Sequence, residues 1–363
     1  MNLDEEAGNP RRAAPVNFYS TMLLLAATAC LTVRAHAADE MRRSDSPSFR
    51  GRIVLFGAQR KPQKSGTVEI LTMNPDGSGV ESLLKLDDTG RMTGRISPDC
   101  RRLAFGTMSG DGKRWETWIL EADGRRRKVA ADGVVRAWSP DGSSLACFRR
   151  KGADGWESLR VEVESGRVHI MPIPPSDVIE DWSSMGDTLS IMAGNRDHSF
   201  EHPGKGTYPL RQIDLIAPDG SRRRRITSDP LLDNIWSRFS PNGSLVAHEQ
   251  RRHVKDKVLE YYVVCGRDGA NPVEIIRGDK LDEELRVIDS YPSYPYYWVP
   301  ASHPCWSPDG SRIVACLSNG KWAGGISDRL RFALVFATPE GRFERGIDLK
   351  KLGIVFVCEI DWK

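Results

Sequence analysis

From residue 52 onward, short apolar runs alternate with polar turns that carry glycine. The runs include Ile53-Val54-Leu55-Phe56, Leu103-Ala104-Phe105, Leu145-Ala146-Cys147, Leu189-Ser190-Ile191, Leu245-Val246-Ala247 and Ile313-Val314-Ala315. They are short and bounded by turn residues, which predicts strands. A recurring phrase precedes five of them: a bulky apolar residue, Ser, usually Pro, then Asp or Asn and Gly. The copies are Ile96-Ser97-Pro98-Asp99-Cys100, Trp138-Ser139-Pro140-Asp141-Gly142, Trp182-Ser183-Ser184-Met185-Gly186, Phe239-Ser240-Pro241-Asn242-Gly243 and Trp306-Ser307-Pro308-Asp309-Gly310. Their serines lie 42, 44, 57 and 67 residues apart. Turn chemistry recurring at such a period between short strands predicts a β-propeller.

A second family of turns sets the blade count. Asp76-Gly77, Asp123-Gly124, Ser165-Gly166, Asp219-Gly220, Asp268-Gly269 and Glu340-Gly341 make six, against five Ser-Pro phrases. Such pairs suit tight hairpins, because Gly accepts positive φ and Asp tolerates it. The first unit starts directly on its second strand at Ile53. The chain stops at Ile360-Asp361-Trp362-Lys363, where another phrase would begin. The expectation is an all-β, six-bladed propeller over 52–363 with four antiparallel strands per blade. Pairing of the N- and C-terminal strands within one blade would close the ring. The competing arrangement is an open or seven-bladed ring.

Trp-Ser-Pro-Asp-Gly, an apolar strand and then Asp-Gly about thirty residues on resembles the repeats of the TolB-like β-propeller family, a WD40-like type of repeat. The resemblance covers about 52–363 and implies the fold. One departure limits what else it implies: TolB carries a separate N-terminal α/β domain before its propeller. Here the first blade begins about fifteen residues after an expected cleavage site. The envelope-translocation role of TolB is therefore not carried over.

Composition narrows the setting. The 363 residues hold 52 Lys+Arg against 49 Asp+Glu, net +3. This balance, with no aromatic–basic stripe, argues against a nucleic-acid partner. Arg11 and Arg12 precede an apolar stretch at 22–33, and Ala35-His36-Ala37 offers a cleavage motif. That reads as a signal peptide over 1–37 and a short linker over 38–51. A periplasmic or secreted protein, with no integral membrane span after cleavage, is the expectation. Lipid anchoring through Cys30 is the lesser alternative. The six remaining cysteines show no CxxC pair, so a zinc site is not expected. Cys147, Cys265, Cys305, Cys316 and Cys358 fall in strands, where cysteine acts as a small buried hydrophobe. Their disulfide state is left open.

The Ser-Pro turns and the Asp-Gly turns should share one face of the disc. The longer insertions (193–211, 249–257, 277–304 and 317–331) should share the other. Long loops on a rigid scaffold are the usual place for binding. The aromatic run Tyr294, Tyr296, Tyr297 and Trp298, with His303 near the channel mouth and Arg238 on an inner strand, is the candidate binding set. The plainer reading of the aromatic run is a lid over its own blade. His198 and His202 are weak metal candidates on an insertion, with a solvated polar loop as the ordinary reading. His248 reads as a satisfied core histidine. Two residues before each phrase serine the series is Arg95, Ala137, Asp181, Arg238 and Cys305, continued by Asp361. This column lines the channel or forms ion pairs between blades. Glu180 and Asp181 are adjacent, so in a regular strand they face opposite ways and make a poor acid–base pair. No nucleophile elbow and no phosphate loop occur, and no cofactor is expected. The resulting expectation is a monomeric, non-catalytic binding or scaffold protein that takes a protein, peptide or glycan on the long-loop face. The competing class is a lyase or hydrolase with a polar or metal site at the channel mouth.

Overall fold

A computed structural model describes residues 48–60, 67–87, 92–109, 114–152, 155–202, 206–254, 257–277, 299–318 and 331–363. The leader (1–37 with Cys30), most of the linker, and Tyr294, Tyr296, Tyr297 and Trp298 lie outside them. Blade one contains β1 (Ile53–Arg60), β2 (Thr67–Met73) and β3 (Glu81–Asp87). Blade two is β4 (Thr93–Ile96), β5 (Arg102–Met108), β6 (Trp115–Glu121) and β7 (Arg126–Ala131). Blade three is β8 (Val134–Trp138), β9 (Ser144–Lys151), β10 (Gly155–Glu162) and β11 (Val168–Ile170). Blade four is β12 (Val178–Trp182), β13 (Leu189–His202), β14 (Gly206–Ile216) and β15 (Arg224–Arg225). Blade five is β16 (Leu232–Phe239), β17 (Leu245–Val254), β18 (Lys257–Gly266) and β19 (Val273–Arg277). Blade six splits its inner strand into β20 (Val299–Pro300) and β21 (Cys305–Trp306), followed by β22 (Ile313–Ser318), β23 (Phe332–Ala337) and β24 (Phe343–Asp348). The last strands, β25 (Ile354–Phe356) and β26 (Glu359–Trp362), both pair antiparallel with β1, with Ile53 opposite Trp362 and Phe56 opposite Glu359.

The repeated phrase has a local cause. In four of the five turns the serine hydroxyl donates to the Asp or Asn two residues on and accepts a backbone N–H five residues on, while Ser183 instead accepts the Met185 N–H. Ser139 Oγ reaches Asp141 Oδ1 at 2.5 Å while Ser144 N reaches Ser139 Oγ at 2.9 Å. Ser240 and Ser307 do the same with Asn242 and Asp309. The side chain thus caps groups that the tight turn leaves unpaired. Glycine in the second turns answers a different need. A Cβ on Gly269 (φ +85°) would lie 2.3 Å from the Ile226 carbonyl oxygen of the preceding blade. Here glycine permits both the left-handed backbone and the close approach of two blades.

The core lies between blades, not within them. Six main clusters of buried apolar side chains each join two neighbouring blades. Examples are Ala104 and Ile119 with Trp138 and Leu145, and Ile213 and Ile226 with Phe239 and Val246. The cluster of Phe336 and Leu334 with Ile53, Leu71 and Trp362 joins blade six to blade one. Phe49 is buried in the cluster between blades one and two, and its N–H donates to the Cys100 carbonyl. At the outer edge, arginines of the basic runs fasten strands and blades. Arg127 Nη1 donates to the Val163 carbonyl at 2.7 Å, and Arg223 bridges Asp177 and Asp214 at 2.7 Å each.

Candidate functional site

The inner strands place two tiers of side chains around the axis. The tier nearer the Ser-Pro turns is the column Arg95, Ala137, Asp181, Arg238, Cys305 and Asp361, one from each blade. The next tier holds Arg136, Glu180, Trp236, His303 and Glu359. β-Bulges explain why neighbours in sequence meet there. Register shifts lie between Val135 and Ala137, between Ile179 and Asp181, and between Ile235 and Arg238. A bulge adds a residue to one strand and re-aims its side chain. Arg238 Nη1 consequently meets both the Glu180 carbonyl (3.1 Å) and Asp181 Oδ1 (3.3 Å). The strict alternation expected for Glu180 and Asp181 fails at this bulge.

His303 sits where blade six interrupts its inner strand, between β20 and β21, and is 4% exposed. The break is held by the Tyr262 hydroxyl, which donates to the Ser302 carbonyl at 2.6 Å. The ring stacks on Trp236, with centroids 5.1 Å apart. Nδ1 lies 2.5 Å from Glu359 Oε2, while Nε2 has Glu180 Oε2 at 3.0 Å and Arg136 Nη1 at 2.8 Å. A neutral ring accepts from Arg136 there, and a charged ring donates to Glu180. Burial opposes ionisation of Glu359, but His303 and Arg95 overcome it and hold the carboxyl at about 2. Glu180 is lowered against the same burial by Arg136 and His303. This tier is a buried, charge-compensated plug with both imidazole nitrogens engaged. Such a histidine positions its neighbours and is closed to a substrate.

The outer tier differs. It forms the floor of a cavity of about 320 Å³ that opens on the tight-turn face. Trp138, Trp182, Phe239, Trp306 and Trp362 and the turn prolines Pro98, Pro140, Pro241 and Pro308 make its walls. Arg50 and Lys363 also line it. The aromatic column packs between blades as well: the Trp138 and Trp306 indole N–H groups donate to the carbonyls of Arg95 and Arg238. On the floor the acids are engaged. Asp361 Oδ2 accepts the Ile96 N–H at 2.7 Å, and Asp181 Oδ2 accepts the Phe239 N–H at 2.9 Å. Burial raises both carboxyls, Asp181 to about 6, despite those amides and Arg95. The guanidinium groups are less occupied. Arg95 Nε and Nη2 and Arg238 Nη2 are buried with no hydrogen-bond partner among the described residues.

Of the residues singled out from sequence, the structure brings Arg238 to this floor and His303 to the plug behind it. His198 and His202 fall in β13, a strand, so the 193–211 insertion is largely an extension of the β13–β14 hairpin and not an irregular loop. Among the described residues no cluster of three or more His, Cys, Asp or Glu could hold a metal. His248 is buried, but neither nitrogen has a partner among the described residues, and burial alone lowers it to about 4. Cys100, Cys147, Cys265, Cys305 and Cys316 are buried free thiols. No helix among the described residues is long and apolar enough to cross a membrane. Arg136 and Glu359 were missed because a bulge displaces one and the chain end carries the other. The column four residues before each phrase serine leads to Glu359 once it is extended into β26.

These features define a six-bladed β-propeller with a charged, aromatic-walled funnel at one end of its axis. The described residues contain no separate α/β domain. Among solved structures, the chain is similar to TolB from Acinetobacter baumannii at 16% identity, over 87% of this chain and 67% of that one, with a TM-score of 0.62. It is also similar to a putative TolB from Agrobacterium tumefaciens at 14% identity, over 79% and 89% of the two chains, with a TM-score of 0.55. At these identities the likeness concerns the fold. No protein-family model and no curated protein sequence matches the chain.

Proposed function

We propose that this chain is an exported, non-catalytic binding protein that captures a protein or peptide partner at the funnel on the tight-turn face. The carrying observation is the cavity itself: flat aromatic and proline walls over a floor with buried, unpartnered donors. Ligand sites commonly combine apolar walls with a few placed polar groups, and about 320 Å³ suits a short segment of chain. The charged groups behind the floor support binding over catalysis, since His303 has both nitrogens engaged and its acids are ion-paired. This reading moves the working site from the long-loop face to the opposite face, where the described cavity lies. Export rests on the leader read from sequence.

The test is capture on an array of random heptapeptides. Ser184 lines the cavity and is exposed, so Ser184→Trp fills the funnel without disturbing the core. The variant should lose about tenfold or more in retained signal. Equal capture by Ser184→Trp and wild type would remove the funnel from the proposal.

A further inference from the structure

The floor of the funnel has a donor surplus. Its two aspartates are spent on backbone amides of neighbouring inner strands, Asp361 on Ile96 and Asp181 on Phe239. Cys305 leans on Asp361 at 3.5 Å. Arg238 uses one terminal nitrogen on the Arg136 and Glu180 carbonyls and on Asp181, leaving Nη2 bare. Arg95 uses Nη1 on the Gly94 carbonyl and on Glu359 (3.4 Å), leaving Nε and Nη2 bare. The two residues are only 4% and 6% exposed. Three buried guanidinium nitrogens without acceptors cost free energy that a ligand acceptor would recover. Arg50 and Lys363 add positive charge to the lining.

From these free donors we infer that the funnel selects a carboxylate, carried on an acidic side chain or at the C-terminus of a peptide, and binds it between Arg95 and Arg238. The inference rests on the funnel being the binding site. A guanidinium offers parallel N–H groups that match a carboxylate, and such bonds are about twice as strong as neutral ones. The funnel is walled by tryptophan, so a carboxylate at the tip of a chain can reach the floor with its flanking residues lying on the aromatic walls. A neutral amide of the same shape would place an N–H₂ against a guanidinium, which is repulsive.

The heptapeptide array tests this with wild-type protein alone. Captured sequences should be enriched in Asp, Glu or free C-terminal carboxylates. The matched Asn, Gln or C-terminal amide versions should bind about tenfold to hundredfold more weakly. Asp/Glu spots with amidated ends against Ala spots with free ends separate the two sources of carboxylate. Sodium acetate should compete, at an ionic strength held constant with sodium chloride. Arg95→Gln should abolish the acid preference, at a cost in thermal stability because Glu359 loses its buried partner, and Arg95→Lys should restore part of it. Should Arg95→Gln fail to fold, the acid-to-amide comparison on wild type decides alone. Capture that Ser184→Trp blocks, yet which does not distinguish acids from amides, would overturn the carboxylate and leave the binding site standing. No capture at all would overturn both.

Discussion

Asp181 shows how a single residue can serve the fold and the site with opposite consequences. Its carboxylate caps the Phe239 amide and pairs with Arg238, yet burial raises it to about 6 from 3.8. Between those values the folded protein holds a proton that the unfolded chain has released. Its contribution therefore favours folding at the acid end of the window and is lost as pH rises through about 6. With 16% of the side chain exposed, the loss amounts to about 2 kcal/mol. Glu359 has the opposite sign: it is held at about 2, so its contribution is present above 4.5 and lost as pH falls towards 2. Urea unfolding of Asp181→Asn and wild type at about pH 4 and pH 7 should show the wild type losing about 2 kcal/mol relative to the variant across that interval. Parallel profiles would contradict the raised carboxyl. The position of His303 before Ser307 points to the channel, but its sealing by Glu180 and Glu359 rests on contacts 123 and 56 residues away in the chain.

Strands and turns carry most of what was legible. Ser139, Asp141 and Gly142 act within six residues, so their chemistry is visible in the one-dimensional pattern. Bulges are not visible in that way, because an extra residue in β8, β12 or β16 changes no residue type. Gly94 is a further example. It stands in β4 among residues that read as an ordinary inner strand, yet an added Cβ would fall 2.1 Å from the Phe56 ring of blade one. Gly94→Ala should destabilise by about 3 kcal/mol, as forced overpacking does. Phe56→Leu, itself destabilising, should cost less in the Gly94→Ala background, because the smaller side chain relieves the clash. A double-mutant cycle by chemical denaturation measures this coupling, and additive costs would mean the ring moves aside freely.

Across the whole molecule, the last strand links the ring and the site. β26 gives β1 its inner neighbour and supplies Glu359, Asp361 and Trp362 to the plug, the floor and the core between blades six and one. Deleting 359–363 exposes an edge of β1 and removes the Glu359 carboxylate that pairs with His303 Nδ1 and Arg95 Nη1. The deletion variant should lose its cooperative calorimetric transition and associate on size-exclusion chromatography, since an unpaired edge invites pairing between molecules. A single transition within a few degrees of the full chain would show that blade one does not depend on β26.

The sequence by itself determined the propeller, because each blade is written in turns whose hydrogen bonds close within a few residues. It also picked out the charged column before each phrase serine, while leaving open whether that column lines the channel or pairs between blades. Only the tertiary structure decided how the inner-strand columns gather around a funnel on the tight-turn face, and which charges and donors of the described residues are spent there. Those answers depend on residues brought together from all six blades, such as Ile96 with Asp361, separated by 265 positions. Pairing over such distances is set by closure and by bulges that shift register, and neither leaves a mark on the local pattern of residues.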